Sequence, residues 1–209
     1  MKVEIWSDVV CPWCYIGKRR FETAVEAFGE EVEVIWRSFE LDPGAPREPA
    51  TALDEALAKK YGMTVEQARG MLSQMTGTAA EEGLAFDFGR ARGGNTLDAH
   101  RLLHLAAQRG VQAEMKERLL QAYFTEGRAI SDPEELAGLA GEIGLDAEEV
   151  GMMLAGDAFT DAVRQDELRA RELGVRGVPF FLVDESVGIS GAQPSELLRR
   201  ALASARESS

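Results

Sequence analysis

The sequence predicts one α/β domain that is interrupted by a large helical insertion. Strand patterns occur only near the two ends of the chain, whereas the long middle part shows helical patterns alone. At 209 residues the chain is long for one compact domain and short for two independent ones. We therefore expect residues 1–42 and 157–209 to form the α/β domain and residues 43–156 to form the insertion.

The N-terminal part changes from a strand period to a helix period and back. Lys2–Ser7 alternates polar and apolar residues, which predicts a strand. Apolar residues then recur at helical spacing from Cys14 to Phe28, and Gly29 is the expected end of that helix. Residues Val32–Phe39 alternate again and predict a second strand.

The middle of the chain contains helix-start signals that follow a proline-rich stretch. We expect one helix to begin at Thr51 and another at Thr64, where Thr64 and Gln67 form a capping box and the helix runs towards Glu82. Asp132 and Asp146 suit N-cap positions. After a glycine-rich connection, further helices are predicted over residues 97–108, 112–125, 133–143, 147–154 and 157–173.

The C-terminal part returns to strands. The stretch "GVRGVPFFLVD" is rich in β-forming residues, "VGIS" predicts a second short strand, and a final helix is expected over Ser195–Ser204. Proline cannot donate to a sheet ladder, so Pro179 at the start of an apolar strand indicates an edge or a special turn. Together with the cysteine pair described next, it favours a cis Val178–Pro179 bond beside the thiols.

The charge of the chain limits its partners. It carries 23 basic and 36 acidic residues, a formal net charge of −13, so nucleic acid and membrane surfaces are poor candidates. No apolar run reaches the roughly 18 residues of a membrane span. The N-terminal stretch "MKVEIWSDVV" reads as a strand and not as a signal peptide, from which we expect a cytoplasmic protein.

The chain has two cysteines, Cys11 and Cys14, separated by Pro12 and Trp13 at the predicted start of a helix. A helix N-terminus favours an anion and so lowers the pKa of a thiol there. Pro12 suits the first turn, where its missing N–H has no helical partner. We therefore predict that Cys11 is the nucleophile of a redox pair and that Cys14, one turn later, is the resolving thiol.

Two other interpretations of the cysteine pair remain open at this stage. His100 and His104 lie four residues apart on one predicted helix, so the cysteines and histidines together form a possible zinc set. Leucines alternate with these histidines, which favours ordinary packing of that helix instead. The other interpretation is that the two cysteines only pack in the core. Against it, a cysteine pair in a cytosolic protein more often has a chemical role, such as redox chemistry, than a structural one.

Several motifs in order make the whole chain resemble the DsbA-like thioredoxin-fold oxidoreductases, and most of all their FrnE-like branch, first linked to polyketide biosynthesis. The motifs are "SDVVCPWCYIGKRRFE", "WRSFELDP", "GRARGGNTLDAHRLLHLA", "YFTEGRAISD", "GVRGVPFFLVD" and "ISGAQP". The resemblance implies a thioredoxin fold with a helical insertion after the second strand, a redox-active cysteine pair and a cis proline. It also implies that Asn95 and His100 lie near the thiols.

The resemblance also sets expectations about substrates. Thiol–disulfide exchange needs no bound cofactor, and the expected redox partner is glutathione or a thioredoxin-type protein. The expected substrates are proteins or small molecules that contain a disulfide or a thiol. The residues expected to contact them are Pro12, Trp13, Val178, Pro179, Asn95 and His100.

Two alternative functions belong to other classes. Kappa-class glutathione transferases and 2-hydroxychromene-2-carboxylate isomerases share the layout, but they carry serine where Cys11 stands and a Ser/Asn-Asp pair at the place of residues 191–193, here Gly-Ala-Gln. A non-enzymatic chaperone or accessory factor in polyketide assembly is the other alternative. It would use an adaptable methionine surface, and the candidates are Met71, Met75, Met152 and Met153.

Trp13 bears on the redox strength of the pair. Strongly oxidising members of the resembled family carry histidine at this position, where a charged or donor side chain stabilises the thiolate. Trp13 offers no charge. We therefore expect a Cys11 pKa that the helix terminus lowers by less than in those members, and a more reducing potential.

Overall fold

A mixed four-stranded sheet forms the centre of the α/β part in the computed structural model, which describes residues 1–47 and 52–207. The strands span Lys2–Ser7 (β1), Glu33–Ser38 (β2), Phe180–Val183 (β3) and Val187–Ser190 (β4). Their order in the sheet is β2-β1-β3-β4. Strand β1 pairs in parallel with β2 and antiparallel with β3, and β3 pairs antiparallel with β4.

Helix α1, Pro12–Phe28, connects the two parallel strands, as the sequence predicts. It ends at Gly29, whose φ of 75° is the left-handed conformation that glycine adopts without strain. The last helix, α9 (Ser195–Glu207), is longer than the predicted Ser195–Ser204 and packs beside α1. Apolar side chains from both helices and the sheet form one core, among them Ile5, Phe21, Phe181, Leu198 and Leu202.

The remaining helices follow β2 along the chain. Their bounds are Leu53–Tyr61 (α2), Val65–Glu81 (α3), Leu97–Gln108 (α4), Gln112–Gln121 (α5), Pro133–Glu142 (α6), Ala147–Ala155 (α7) and Thr160–Glu172 (α8). A second core lies among α3 to α7 and reaches Val9, Tyr15 and Ile16 at the start of α1. This architecture is the predicted α/β domain with a helical insertion after β2, whereas the predicted borders at residues 42/43 and 156/157 stay predictions.

The predicted caps of these helices are present. The Thr64 hydroxyl accepts from the Gln67 N–H, and the Gln67 side chain accepts from the Thr64 N–H, which completes the capping box. Asp132 and Asp146 each accept a backbone N–H in the first turn. The predicted start at Thr51 lies outside the described residues.

One predicted helix changes its type before its end, and the predicted start of another is wrong. Residues 112–125 are helical as predicted, but the α-helix ends at Gln121 and Ala122–Glu126 forms a π-helical turn, whose i to i+5 hydrogen bonds the sequence pattern does not indicate. The helix predicted to begin at Asp157 begins at Thr160, because Phe159 has a positive φ of 64° that interrupts the helical path. Within the described residues no helix is long and apolar enough to cross a membrane.

The side chain of Gln112 joins the insertion to the sheet. Its amide oxygen accepts from the Trp36 N–H and its amide nitrogen donates to the Trp36 carbonyl, both at 3.0 Å. Gln112 therefore satisfies one residue of the outer strand β2 much as a neighbouring strand would. This fixes helix α5 against the sheet at the level of Trp36.

Candidate active site

Cys11 is the residue that caps helix α1, with an extended backbone, and Pro12 is the first residue of that helix. The Cys11 sulfur donates to the backbone carbonyl of Val178 at 3.6 Å. The Val178–Pro179 peptide bond is cis, which confirms the prediction made from the proline and the cysteine pair. Beside Cys11, the Trp13 side chain is 43% exposed and carries no hydrogen-bonding partner among the contacts of the described chain.

Cys14 lies one helical turn below Cys11, and its side chain is buried. Its backbone N–H donates to the Cys11 carbonyl at 3.0 Å. Burial raises the pKa of the Cys14 thiol well above its ordinary value, and the hydrogen bond and charge of Cys11 raise it further. The charge of Lys116 acts in the opposite direction. Cys14 therefore keeps its proton at neutral pH until another group takes it.

Asp8 joins the end of β1 to the chain that follows β2. One carboxylate oxygen accepts from the Val9 N–H at 2.7 Å, and the other accepts from the Leu41 N–H at 2.7 Å. The Nε2 atom of His100 lies 3.2 Å from Asp8 Oδ1, and both side chains are buried. Burial alone would raise the pKa of Asp8, but the hydrogen bond and charge of His100 outweigh it and lower that pKa.

The histidines that the sequence offers as zinc ligands have other partners. His100 contacts Asp8, whereas the Nε2 atom of His104 lies 3.1 Å from the Ser38 hydroxyl and 3.2 Å from Asp166 Oδ2. Across the described ranges, no group of three or more His, Cys, Asp and Glu side chains has the arrangement of a metal site.

Asn95 has a local role in the described contacts. Its side-chain oxygen accepts from the Leu97 N–H at 2.9 Å, and its amide nitrogen donates to the Pro43 carbonyl at 3.1 Å. It thus shapes the start of α4 and the loop after β2. The placement of Asn95 and His100 as substrate contacts stays a prediction, and His100 contacts Asp8, which lies three residues before Cys11 in the chain.

A family model describing a DSBA-like thioredoxin domain matches residues 2–203. The chain belongs to this family. A probable DsbA oxidoreductase from Streptomyces coelicolor has a similar structure, with 46% identity, a TM-score of 0.95, and coverage of 100% of this chain and 91% of that one. The uncharacterized protein YwbO of Bacillus subtilis is 30% identical over 96% of this chain and 94% of its own.

A more distant structural relative shares the fold. The cytosolic disulfide reductase DsbM from Pseudomonas aeruginosa, solved with GSH, is 20% identical to this DSBA-like domain, with a TM-score of 0.69. The superposition of the two structures covers 99% of this chain and 100% of the DsbM chain. At this level of identity the likeness concerns the fold alone.

Lys116 is a buried residue of α5 whose role the sequence did not predict. The side chain of this lysine is 1% exposed, and its Nζ atom has no hydrogen-bond partner among the described residues. Its position four residues after Gln112 places both side chains on one face of α5, next to the buried Met115. A lysine on an apolar helix face usually extends to water, so its burial could not be read from the pattern.

Gly17 is a second residue whose role the sequence did not predict. A Cβ atom at this position would lie 2.8 Å from Pro179 Cγ and 3.4 Å from Ala192 Cβ. Helix α1 therefore approaches the cis proline closely because residue 17 has no side chain. An interior helical glycine signals such a packing reason, since it otherwise costs about 1 kcal/mol relative to alanine.

We predict that Gly17→Ala destabilises this DSBA-like domain by about 1–2 kcal/mol. Alanine should gain up to about 1 kcal/mol of helix propensity, but overpacking against the rigid proline ring should cost about 1–3 kcal/mol. Gly77→Ala in α3 is the matched control, because a Cβ atom there would have no neighbour within 4 Å. This substitution should therefore stabilise the protein. Urea denaturation measures both changes, and equal shifts of the two midpoints would contradict the close packing of Gly17 on Pro179.

Proposed function

We propose that this DSBA-like domain is a thiol–disulfide oxidoreductase in which Cys11 attacks and Cys14 resolves. The observation that carries the proposal is the position of the two thiols. Cys11 lies at the N-terminus of α1 with its sulfur 3.6 Å from the Val178 carbonyl, and Cys14 lies buried one turn below it. A helix N-terminus favours the thiolate, which is the species that attacks disulfides.

The reaction follows from these positions. The Cys11 thiolate attacks one sulfur of a substrate disulfide, and a mixed disulfide forms while the other substrate sulfur leaves as a thiolate. Cys14 then attacks the Cys11 sulfur, which releases the second substrate thiolate and leaves a Cys11–Cys14 disulfide. Two electrons pass to the substrate, so a thiol donor such as glutathione or a thioredoxin-type protein must reduce the enzyme again.

The proposed substrates are proteins or small molecules that contain a disulfide or a thiol. An extended peptide that is bonded to Cys11 would run beside Val178 and Pro179, where backbone contacts hold it independently of its sequence. Pro12 and the exposed Trp13 lie in the first turn of α1, next to Cys11, and provide apolar contact to that peptide. The DsbM structure with GSH supports glutathione as a candidate partner.

We further propose that this domain belongs to the FrnE-like branch and acts in the cytoplasm. The order of the motifs supports the first point, and the fold shared with DsbM, a cytosolic disulfide reductase, supports the second. The glutathione-dependent isomerase alternative is separable from redox chemistry by experiment. Tight glutathione binding by a variant with serine in place of both Cys11 and Cys14 would favour that alternative and contradict the proposal.

The methionines of the chaperone alternative are split between surface and core. Met71 and Met152 are exposed, whereas Met75 is partly buried and Met153 is buried. Such a distribution leaves two of them able to contact another protein. Suppression of aggregation by the variant that lacks both thiols would favour this alternative.

The reduction potential of the Cys11–Cys14 pair tests the proposal. We expect a reversible disulfide whose potential is well below about −120 mV, the value of a strong oxidant, because Trp13 supplies no charge to stabilise the Cys11 thiolate. Titration with glutathione, followed by alkylation and mass measurement, gives the potential. Absence of a reversible disulfide would contradict the oxidoreductase assignment, and a potential near −120 mV would contradict the role given to Trp13.

A further inference from the structure

Lys116 is buried without a partner, which is costly for a lysine. Its Nζ atom donates no hydrogen bond to any described residue, and the group beneath it is the Trp36 ring, 5.5 Å from Nζ to the ring centre. An ammonium in such surroundings destabilises a fold unless it is paired or loses its proton. Lys18 is nearly as buried, but its Nζ contacts the carboxylates of Glu22 and Glu117.

The location of Lys116 points to the thiols. Gln112 holds α5 against Trp36, and Lys116 lies one turn further along the same face. The next residue on α5, Glu117, accepts from Lys18 Nζ at 2.6 Å, and Lys18 lies in the second turn of α1. The unpaired amine is therefore on the turn of α5 that packs against the start of α1, where the two cysteines lie.

The charges of four titratable groups act on Lys116. Burial lowers the pKa of Lys116 to about 8, the charges of Cys14, Asp8 and Cys11 oppose that shift, and the charge of Lys18 adds to it. With this pKa, roughly a tenth of the Lys116 side chains are neutral at pH 7. A neutral amine is a proton acceptor, so Lys116 can change its charge in the pH range where the cysteines react.

Asp8 is a poor candidate for the same task. Its two oxygens already accept from the Val9 N–H, the Leu41 N–H and His100. Burial would raise the pKa of Asp8, but the contacts with His100 and the Leu41 N–H outweigh it and lower that pKa, so the carboxylate holds its charge and does not take up a proton near neutral pH. Its negative charge instead stabilises the ammonium form of Lys116.

We propose that Lys116 takes the proton of the Cys14 thiol when the mixed disulfide on Cys11 is resolved. This inference rests on the proposed function. The proton moves from Cys14 Sγ to the neutral Nζ of Lys116, the Cys14–Cys11 bond forms, and the substrate sulfur leaves Cys11 as a thiolate. In the reverse direction the Lys116 ammonium returns the proton to Cys14.

The two sulfur steps can be measured separately with 5,5′-dithiobis(2-nitrobenzoate). Attack by Cys11 releases one thionitrobenzoate, and resolution by Cys14 releases the second. We expect the second phase of the wild type to accelerate as the pH rises through about 8. In Lys116→Met this phase should be about a hundredfold slower at pH 7, the size of effect that loss of a general base has, and its acceleration should move to higher pH.

Three variants make the result decisive. Lys116→Arg keeps the charge but cannot give up its proton, so it should be as slow as Lys116→Met. Lys18→Met is the matched control, and it should keep the fast second phase with its acceleration moved slightly upwards. Methionine at 116 removes an unpaired buried charge and should leave the protein folded.

The outcomes separate the inference from the function it rests on. A wild type without the first phase would contradict the oxidoreductase assignment itself. A first phase followed by a second phase that is the same in Lys116→Met as in the wild type would overturn only the role of Lys116. Full rate in Lys116→Arg would also overturn it, since charge alone would then suffice. A second phase of the wild type that does not change near pH 8 would overturn it without any variant.

Discussion

Cys11→Ser is expected to lower the rate of insulin-disulfide reduction by about a thousandfold or more, as the loss of a nucleophile does in other enzymes. The hydroxyl that replaces the thiol cannot form a mixed disulfide. Cys14, the other cysteine of the chain, is buried and holds its proton because burial raises its pKa. The assay follows insulin precipitation in the presence of dithiothreitol.

Cys14→Ser is the informative companion of this variant. It keeps the attacking thiol at the helix N-terminus, so it should still form one mixed disulfide per molecule but should not release substrate through the internal disulfide. A Cys11→Ser protein that retains insulin reduction close to the wild-type rate would contradict the assignment of Cys11 as the nucleophile.

Asp8→Ala is expected to lower the free energy of unfolding by about 3–5 kcal/mol, the cost of removing one partner from a buried pair. The substitution would leave the buried Val9 N–H and His100 ring, and the partly buried Leu41 N–H, without their acceptor. Urea denaturation at neutral pH measures the loss. A decrease below about 1 kcal/mol would show that the carboxylate does not hold this junction together.

The Asp8 contribution should also depend on pH. The pKa of Asp8 is lower in the folded protein than in the unfolded chain, so its stabilisation is fully present above the unfolded value of about 3.9. As the pH falls below that value and through the folded pKa, the stabilisation is lost. The difference between wild type and Asp8→Ala should therefore shrink below about pH 4.

Asp146→Ala is the control for Asp8→Ala. Asp146 also accepts a backbone N–H, that of Glu148 at 2.9 Å, but it lies on the surface at the start of α7. Its loss should cost about 1 kcal/mol, the ordinary value of an N-cap. A decrease as large as that of Asp8→Ala would indicate that burial does not explain the Asp8 effect.

Much of the fold could be predicted because local signals and tertiary structure agree. The alternation in Lys2–Ser7 gives β1 with the predicted bounds, and Thr64 and Gln67 make the predicted capping box. The cis bond before Pro179 followed from combining a strand-opening proline with a distant cysteine pair. In each case the feature depends on residues that are adjacent in sequence or on a motif with a narrow structural use.

The rest of the site depends on contacts that no local pattern records. Asp8 looks like a turn residue in the sequence, yet it accepts hydrogen bonds from Leu41 and His100, which lie far along the chain. The burial of Lys116 follows from how Gln112 fixes α5 against Trp36. The positive φ of Phe159 and the π-helical turn after α5 leave the apolar spacing of the sequence unchanged, so single-sequence periodicity cannot predict them.

The central claim is that Cys11 forms the bond to substrate. Intact-mass measurement of Cys14→Ser after incubation with glutathione disulfide tests this claim most directly, with Cys11→Ser treated in parallel. We predict one glutathione adduct on Cys14→Ser, mapped by peptide analysis to Cys11, and no adduct on native Cys11→Ser. An adduct on Cys14 of the Cys11→Ser protein at a comparable rate, or no adduct on either variant, would contradict the account.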